Sequence, residues 1–350
     1  MKRVFFPALA LTLVLAACGG PREPVEPAPS QPPEPQPGQP AIDETPDATA
    51  AGPEERYEIA VVPKGLVHQF WLTVRAGAEA AGEEFNADIV WKGPAKETEV
   101  AKQISIVEDM LSRGVDAIVM AACDQDALID VVAEAVDDGT PVVTIDSGVK
   151  SELPVSFVAT DNIAGAQAAA DALAGLIGEE GKVGLIPFVA GAATSEMREQ
   201  GFKDGIAKYD KIELVSVLYS ESDVAKGMEV TEDMMTANPD LNGIFAANES
   251  GAMGAVQAIE AAGKAGEIKV VAFDAAEREI EALEAGTIQA LVVQNPFQMG
   301  YQGVKSAIDH LEGRPVEKRI DTGVTVVTME NIGEPEIQKL LYPLEDAAGQ

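Results

Sequence analysis

Short apolar runs alternate with longer segments of helical periodicity along most of this chain, from residue 57 to about residue 327. The runs are rich in Val, Ile and Ala, as strands buried on both faces are. Strands that alternate with helices predict parallel sheets covered by helices. The runs lie at residues 58–62, 87–91, 117–121, 142–145, 155–160, 182–188, 212–218, 243–247, 269–273, 290–294 and 324–327.

The number of these runs predicts more than one sheet. They are too many for one small doubly wound domain, and a chain of 350 residues is long enough for two domains. We therefore expect an α/β fold with two doubly wound parallel-sheet lobes, although the sequence shows no clear internal repeat. The helical segments lie at residues 70–86, 97–113, 128–138, 163–177, 194–209, 223–238, 250–262, 277–285 and 297–312.

The N-terminal region predicts export and anchoring. Residues 1–17 combine two basic residues, an apolar run and small residues before Cys18, which is the pattern of a signal peptide. The sequence LAACGG resembles the bacterial lipoprotein signal, so we expect Cys18 to be acylated; an ordinary secretory peptide is the alternative. Residues 18–56 hold 11 of the 22 prolines and predict an extended tether. A Pro-rich docking ligand is the alternative, but basic anchors are missing.

Charge and composition exclude several classes of function. The formal net charge of −33 argues against binding nucleic acid or anionic lipid, which requires a basic surface. Cysteines occur at positions 18 and 123, and we expect Cys123 to be a small packing residue. No Cys or His cluster has metal-ligand spacing, and no glycine-rich phosphate loop follows a strand. We therefore predict no metal and no cofactor.

Polar residues follow five of the apolar runs at their carboxyl ends. Ligands of open α/β sheets bind just beyond these ends. Carboxylates accept hydrogen bonds and primary amides both donate and accept, so such residues together can bind a ring of hydroxyl groups. The residues are Asp146, the pair Asp161 and Asn162, Asn248, Asp274 and Gln294.

The loop after the first run adds cations and aromatic rings. It holds Lys64 and His68, and Phe70 and Trp71 then open a helical segment. Aromatic faces would cover the apolar C–H side of a sugar, while Lys64 and Arg198 would bind its hydroxyl groups. The composition predicts a site for a sugar or polyol.

Each of these residues also has a simpler interpretation. Asp274 stands three residues before Glu277, a capping-box spacing, and Asp161 or Asn162 could cap the next helix. Asn248 could be a turn residue. The rings at positions 70 and 71 could belong to the core, and Lys64 could be a solvated loop residue. No helical segment directly follows Asp146, so capping explains Asp146 least.

Several motifs resemble those of one protein family in their order and spacing. Each is weak alone, but together they are specific. The chain resembles the periplasmic substrate-binding proteins of sugar ABC transporters, in particular the ribose-binding type, in a lipoprotein form. Besides IAVV and FW near the start, the motifs are PAKE at 94–97, TIDS at 144–147, VATDN at 158–162, AGAATSEMREQGF at 190–202, AANESGAMGA at 246–255, VVAFD at 270–274 and VVQNPFQMG at 292–300.

The resemblance implies the type I periplasmic binding protein fold, in which three crossings join two lobes as a hinge. The crossings are expected near residues 160–162, 294–296 and 322–324. The N-terminal lobe would comprise residues 57–161 and 295–323. The C-terminal lobe would comprise residues 162–294 and 324–343.

The resemblance also implies a function. The protein would be a monomeric extracytoplasmic or periplasmic lipoprotein without enzymatic activity, held at the membrane through Cys18. It would capture a small sugar or polyol and deliver it to the permease subunits of an ABC importer. Phe70 and Trp71 would stack on the ligand, and Lys64 and His68 would also face it. The hydroxyl-binding residues implied are Asp146, Arg198, Asn248, Asp274 and Gln294.

Departures from the ribose-binding pattern indicate a different pocket. His68 replaces an Asn, Ser147 replaces an Arg, an aromatic residue is missing near residues 222–223, and Ala121 stands where an Asn is expected. The segments VPKG and WKGP resemble relatives that bind a furanosyl quorum signal, which keeps Lys64 a candidate ligand contact.

Three rival functions stay open at this point. A glycoside-processing enzyme would use Asp146 and Asp274 as an acid pair. A transcriptional regulator with the same fold would need a helix-turn-helix before the core, where this chain has an export signal instead. A receptor-coupled sensor would use the same binding lobes.

Overall fold

The computed structural model describes residues 56–343, and these form two six-stranded sheets. The predicted signal peptide, Cys18 and the tether up to residue 55 lie outside the described residues. The first sheet contains β1 (Tyr57–Val62), β2 (Ala87–Trp91), β3 (Ala117–Met120), β4 (Val142–Ile145), β5 (Ser156–Ala159) and β11 (Arg319–Asp321). The second contains β6 (Gly181–Ile186), β7 (Ile212–Val217), β8 (Leu241–Ala246), β9 (Lys269–Phe273), β10 (Ala290–Val293) and β12 (Thr325–Val327).

Ten helices in the described part of the chain cover these sheets. The first sheet carries α1 (Gln69–Glu84), α2 (Val100–Arg113), α3 (Ile129–Asp137) and α9 (Pro296–Leu311). The second carries α4 (Asn162–Ile177), α5 (Ala193–Ile206), α6 (Val224–Ala237), α7 (Glu249–Ala261), α8 (Glu277–Ala285) and α10 (Pro335–Leu341). We call the two sheets with their helices the first and second lobe.

The two sheets have the same strand order. The first runs β2-β1-β3-β4-β5-β11 and the second runs β7-β6-β8-β9-β10-β12. Neighbouring strands are parallel except for β10 and β12, which are antiparallel. The predicted α/β fold with two doubly wound lobes is therefore confirmed.

Each lobe has a hydrophobic core on both faces of its sheet. In β1, Ile59 and Val61 pack with α1 and α9, whereas Ala60 and Val62 pack with α2 and α3. This period of two explains why the strand is apolar throughout. Burial of each large aliphatic side chain contributes about 1.5–3 kcal/mol to the stability of the fold. The cores of the two lobes thereby hold the strand ends in place.

A close helix contact positions α1, which carries the predicted aromatic residues. A Cβ atom at Gly77 would lie 2.0 Å from the Phe297 carbonyl oxygen, and one at Gly300 would lie 1.9 Å from that of Val74. Only glycine fits at both positions. The helices α1 and α9 therefore approach backbone to backbone.

The chain passes between the sheets three times. It leaves the first sheet after β5, returns to it after β10, and leaves it again between β11 and β12. These passages lie where hinge crossings are expected, while the residue boundaries given above for the lobes stay predictions. The sequence interpretation missed β11 and α10. Both are short, and β11 has only three residues at a sheet edge.

Membrane-spanning helices and clusters of metal-binding side chains are absent from the described residues. No helix between residues 56 and 343 is both long enough and apolar enough to cross a membrane. The same part of the chain has no group of three or more His, Cys, Asp or Glu side chains placed to hold a metal ion.

Candidate ligand-binding site

A small cavity of about 20 Å³ lies between the carboxyl ends of the two sheets. This volume holds little more than one water molecule, whereas sites that hold drug-sized ligands measure about 300–1,000 Å³. The structure brings all nine residues predicted to face a ligand to its wall, together with four that were not predicted. The predicted ones are Lys64, His68, Phe70, Trp71, Asp146, Arg198, Asn248, Asp274 and Gln294; the others are Glu97, Phe188, Thr194 and Glu249.

A larger groove of about 270 Å³ adjoins this cavity and shares Phe70, Asp274 and Gln294 with it. Much of its remaining wall is apolar, with Ile280 and Leu341 among the lining residues. Charged side chains of both lobes line only the smaller of these two cavities, because the first lobe contributes no charged residue to the groove. We therefore take the smaller cavity as the candidate site.

Two carboxylates occupy equivalent places in the two lobes. Asp146 follows β4 and Asp274 follows β9, and these strands hold the same position in their sheets. Both have backbones with positive φ, 53° for Asp146 and 90° for Asp274. This conformation is uncommon for residues other than glycine, and such residues cluster at functional sites. Asp146 is 3% exposed and Asp274 8%.

Lys64 links Asp146 to both lobes. Its Nζ atom lies 2.9 Å from Asp146 Oδ2 and donates hydrogen bonds to Ser147 Oγ at 3.0 Å and Thr194 Oγ1 at 3.1 Å. Burial disfavours the ammonium form, but the charges of Asp146 and Glu97 outweigh it and raise the pKa of Lys64. These three neighbours use all three N–H groups of the ammonium. The role of Lys64 is therefore to orient Asp146, Ser147 and Thr194. The interpretation of Lys64 as a solvated loop residue is wrong.

Glu97 is a buried carboxylate that the sequence interpretation did not select. It accepts hydrogen bonds from Trp71 Nε1 at 2.9 Å and from Ser222 Oγ at 2.8 Å, and lies 3.5 Å from His68 Nδ1. Burial raises its pKa, but Lys64 and His68 reverse this, and the pKa of Glu97 falls far below its usual value. Burial likewise disfavours the charged form of His68, yet Glu97 raises the pKa of His68 to about 9.

Arg198 lies flat against an aromatic ring in the second lobe. Its Cζ atom is 3.7 Å from the ring centre of Phe273. Nε donates to Asn162 Oδ1 and Nη1 to the Ala247 carbonyl, both at 2.8 Å. Burial lowers the pKa of Arg198, while the charge of Asp274 opposes that shift. Since Nη2 has no acceptor among residues 56–343, two of the N–H groups of Arg198 are available in the cleft.

The amide side chains of the second lobe differ in what they can offer. Asn248 caps α7 by accepting from the Gly251 N–H, and it donates to Ser222 and Ser250, so both of its donors are occupied. Gln294 donates to Asp274 Oδ1 at 2.6 Å, and its buried Oε1 has no partner within the described chain. Gln294 thus retains a free acceptor, whereas Asn248 mainly shapes the loop.

Hydrogen bonds across the cleft join the two lobes near Phe70. The Glu249 carboxylate accepts from the backbone N–H groups of Gln69 and Phe70, both at 3.2 Å. The Gln69 side chain in turn accepts from the backbone N–H of Glu277 at 3.0 Å. A residue of each lobe thus satisfies the first N–H groups of a helix in the other, which helix termini require. These bonds hold the lobes together.

The simpler interpretations have mixed outcomes. Asp161 does cap α4, by accepting from the Ala164 N–H. Asp274 does not start α8, because the N-cap is Ala276 and Glu279 accepts its N–H. Trp71 is 1% exposed and belongs both to the core of the first lobe and to the cavity wall. Trp71 and Phe70 meet edge to face, with ring centres 4.9 Å apart.

Three of the four residues that were not predicted stand in motifs already noted. Glu97 ends PAKE, Thr194 lies in AGAATSE and Glu249 in AANES. Phe188 had a different signal, because it follows β6 as Pro187-Phe188 just as Lys64 follows β1 after Pro63. Cys123 packs beneath the site with no surface exposed, and burial raises the pKa of its thiol.

Comparison with known proteins identifies the family. Residues 59–315 match the periplasmic binding protein domain. The chain belongs to this family. A curated relative of the family, the D-ribose/D-allose-binding protein of Pseudomonas aeruginosa (strain PAO1), is 34% identical over 296 residues, which are 82% of this chain and 92% of the relative.

Solved structures of family members agree with the fold. An ABC transporter solute-binding protein from Agrobacterium vitis with bound D-fucose is 42% identical, with a TM-score of 0.80 over 81% of this chain and 100% of that one. A carbohydrate transporter solute-binding protein from Agrobacterium radiobacter in complex with D-arabinose is 35% identical, with a TM-score of 0.80 over 82% and 99%. The type I periplasmic binding protein fold is thus shared with sugar-binding transport proteins.

Proposed function

We propose that the protein is an extracytoplasmic solute-binding lipoprotein that captures a small neutral sugar or polyol between its lobes and delivers it to an ABC importer. The observation that carries this proposal is the convergence of carboxylate, amide and guanidinium groups from both lobes on one small cavity beside Phe70 and Trp71. Such a polar ring beside aromatic faces suits a polyhydroxylated ring.

The unused hydrogen-bonding groups favour a ligand with several hydroxyl groups. Within the described chain the Asp146 carboxylate is engaged only by the Lys64 ammonium at Oδ2, Gln294 Oε1 has no partner, and Arg198 Nη2 and His68 Nε2 donate no hydrogen bond. A hydroxyl group both donates and accepts, so it can satisfy either kind. An unmatched buried group would cost about 1–3 kcal/mol, which makes hydroxyl positions the basis of selectivity.

The balance of charge favours a neutral ligand. Three cationic side chains, Lys64, His68 and Arg198, and four carboxyl groups, Glu97, Asp146, Glu249 and Asp274, line the cavity, so charges of the two signs are nearly balanced. Glu249 stands beside them with a pKa raised mainly by burial. An anionic or cationic sugar would therefore add an uncompensated charge to a buried site. The relatives named above, with bound D-fucose or D-arabinose, support the choice of a neutral monosaccharide.

Delivery requires that the importer distinguish loaded from empty protein. The bonds from Glu249, Gln69 and Thr194 across the cleft support a closed form that a ligand held by both lobes would favour. Membership of the family favours transport over an enzymatic role. A receptor-coupled sensor would bind its ligand in the same way, and loss of uptake in a deletion strain separates the two.

The test of binding is a thermal-shift screen followed by calorimetry. D-fucose, D-arabinose, D-ribose, D-allose and an inositol form the neutral panel, and gluconate and glucosamine form the charged one. At least one neutral compound should raise the melting temperature, because a ligand that binds only the folded state stabilises it. A shift with the charged compounds alone would overturn the proposal.

Anchoring is tested separately. Acylation at Cys18 is supported by the LAACGG sequence. Replacing Cys18 with Ala should release the protein from the membrane fraction and leave sugar binding unchanged. If mass spectrometry finds no lipid on the mature parent protein, the lipoprotein part of the proposal is wrong.

A further inference from the structure

Glu97 connects residues of both lobes at the cavity wall. It is 6% exposed and lies beside His68, Trp71 and Ser222, the last of which belongs to the second lobe. Oε1 accepts from Trp71 Nε1 and lies within ion-pair distance of His68 Nδ1, and Oε2 accepts from Ser222 Oγ. With these partners, Glu97 acts on the neighbours of a ligand.

His68 lies beside Glu97, and both residues line the cavity. Its side chain is 12% exposed, and Nδ1 is directed to Glu97 at 3.5 Å. Nε2, on the opposite side of the ring, has no hydrogen-bond partner among the described residues. From the second lobe the carboxylates of Glu249 and Asp274 also act on the imidazole, and Glu97 itself faces Lys64.

We propose that Glu97 is a positioning residue that keeps His68 as a charged imidazolium, so that Nε2–H is a constant hydrogen-bond donor to an oxygen atom of the sugar. The proposal rests on the function proposed above and deepens it. It makes His68 a residue that selects for an acceptor oxygen at one position of the ligand. Sugars that lack an oxygen there would leave a buried charged donor unmatched.

The negative charge of Glu97 is what this role requires. A neutral imidazole has one N–H, and an acceptor at Nδ1 draws that proton to Nδ1. Nε2 would then present a lone pair to the cavity, and the donor would be lost. A carboxylate favours the doubly protonated ring, in which both nitrogen atoms donate. A glutamine at position 97 could accept from Trp71 and Nδ1, but it would not supply the charge.

The first experiment observes His68 directly and needs no ligand. The chain has only two histidines, so the imidazole signals of His68 and His310 in NMR spectra are assigned with His68→Gln. Glu97 raises the pKa of His68 to about 9, so the ring should stay charged from pH 6 to pH 8 in the parent protein. In Glu97→Gln it should titrate within that range, nearer its ordinary value of about 6.5. Titration of His68 near 6.5 in the parent would overturn the proposal, whether or not a sugar binds.

The second experiment measures affinity against pH with D-fucose as the probe, or with the strongest sugar of the neutral panel. The parent should bind equally well at pH 6 and pH 8. Glu97→Gln should lose about tenfold in affinity between these values, since a hydrogen bond to a charged group is worth about 1.5–3 kcal/mol. The variant His68→Gln/Glu97→Gln, which keeps an amide donor without a titratable proton, should show no such loss.

Two outcomes separate positioning from a merely structural role. Thermal melts of Glu97→Gln at pH 6 should show a folded protein that binds the probe. A loss of affinity that is equal at both pH values would mean that Glu97 only supports Trp71, and the proposal would be wrong. If no sugar of the panel binds the parent, the proposed ligand class fails, and the NMR titration still decides the state of His68.

Discussion

The two lobes share one strand order but place cations and rings differently at the cleft. After β1 the first lobe has Pro63 and Lys64, and after the equivalent β6 the second lobe has Pro187 and Phe188. In the first lobe the rings come from the following helix, α1. In the second lobe that helix is α5, and it supplies Arg198. The cation and the aromatic ring have therefore exchanged positions.

The exchange gives the two equivalent aspartates different surroundings. Asp146 lies 2.9 Å from the Lys64 ammonium. Asp274 instead accepts from the Gln294 amide and the Glu249 backbone N–H, and no cation lies within ion-pair distance in the described structure. Both aspartates have a backbone with positive φ, but Asp146 forms an ion pair, whereas Asp274 accepts hydrogen bonds from neutral donors. The strand order determines where each aspartate lies, and the neighbouring side chains determine how strongly its charged form is stabilised.

The lobes also differ after these aspartates. The chain runs from β4 to β5 without a helix, whereas α8 stands between β9 and β10. Helix α8 brings a fully buried carboxyl group, Glu279, close to Asp274 and Glu249. Burial, with repulsion from these two acids, raises the pKa of Glu279 well above its usual value. The second lobe therefore holds an excess of acid that the first lobe lacks.

The largest expected effect separates the two aspartates. Asp146→Asn leaves the buried ammonium of Lys64 without its counter-charge and should lower the free energy of unfolding by about 3–5 kcal/mol. Asp274→Asn should lower it by only about 1 kcal/mol, because it also relieves repulsion from Glu249 and Glu279. Urea unfolding without ligand measures both. Lys64→Met/Asp146→Asn is the control and should recover most of the loss, and equal costs for the two aspartates would contradict the comparison.

The next effect concerns the cations. Arg198→Lys keeps the charge but loses the planar group that lies on Phe273 and the free N–H pair. Affinity for the best sugar should fall by about 1.5–3 kcal/mol in calorimetry, since hydrogen bonds from a charged donor are lost. Lys64→Arg serves as the matched substitution in the first lobe. If Arg198→Lys binds as tightly as the parent, the guanidinium does not contact the ligand.

The smallest expected effect is on stability, and it concerns the cluster of carboxyl groups around Glu279 in the second lobe. A carboxyl group whose pKa is raised by folding stabilises the protein at low pH, and this contribution is lost as pH rises above about 4.5. Glu279→Gln removes the titration and should stabilise the protein at pH 7.5 by about 0.5–2 kcal/mol, with a smaller gain at pH 5. Thermal melts at the two pH values measure this. If Glu279→Gln stabilises the protein equally at pH 5 and pH 7.5, folding does not raise the pKa of Glu279.

Much of the candidate site followed from local sequence features. Strand ends are recognisable from an apolar run and the polar residue after it, which is how Asp146, Asp274 and Gln294 were found. Glu97 and Glu249 were not selected, because each stands where a solvated surface carboxylate is the usual expectation. Their burial depends on partners 26 and 180 residues away in the sequence.

The sequence by itself determined the α/β class, the order of the strands and helices other than β11 and α10, and the polar residues at the strand ends, because periodicity and turns are set by neighbouring residues. Tertiary structure alone decided which charges meet. Lys64 and Asp146 pair across more than eighty positions, the Glu97 carboxylate raises the pKa of His68, and each lobe satisfies a helix terminus of the other. Such pairings depend on distance and burial in three dimensions, and sequence spacing does not encode either.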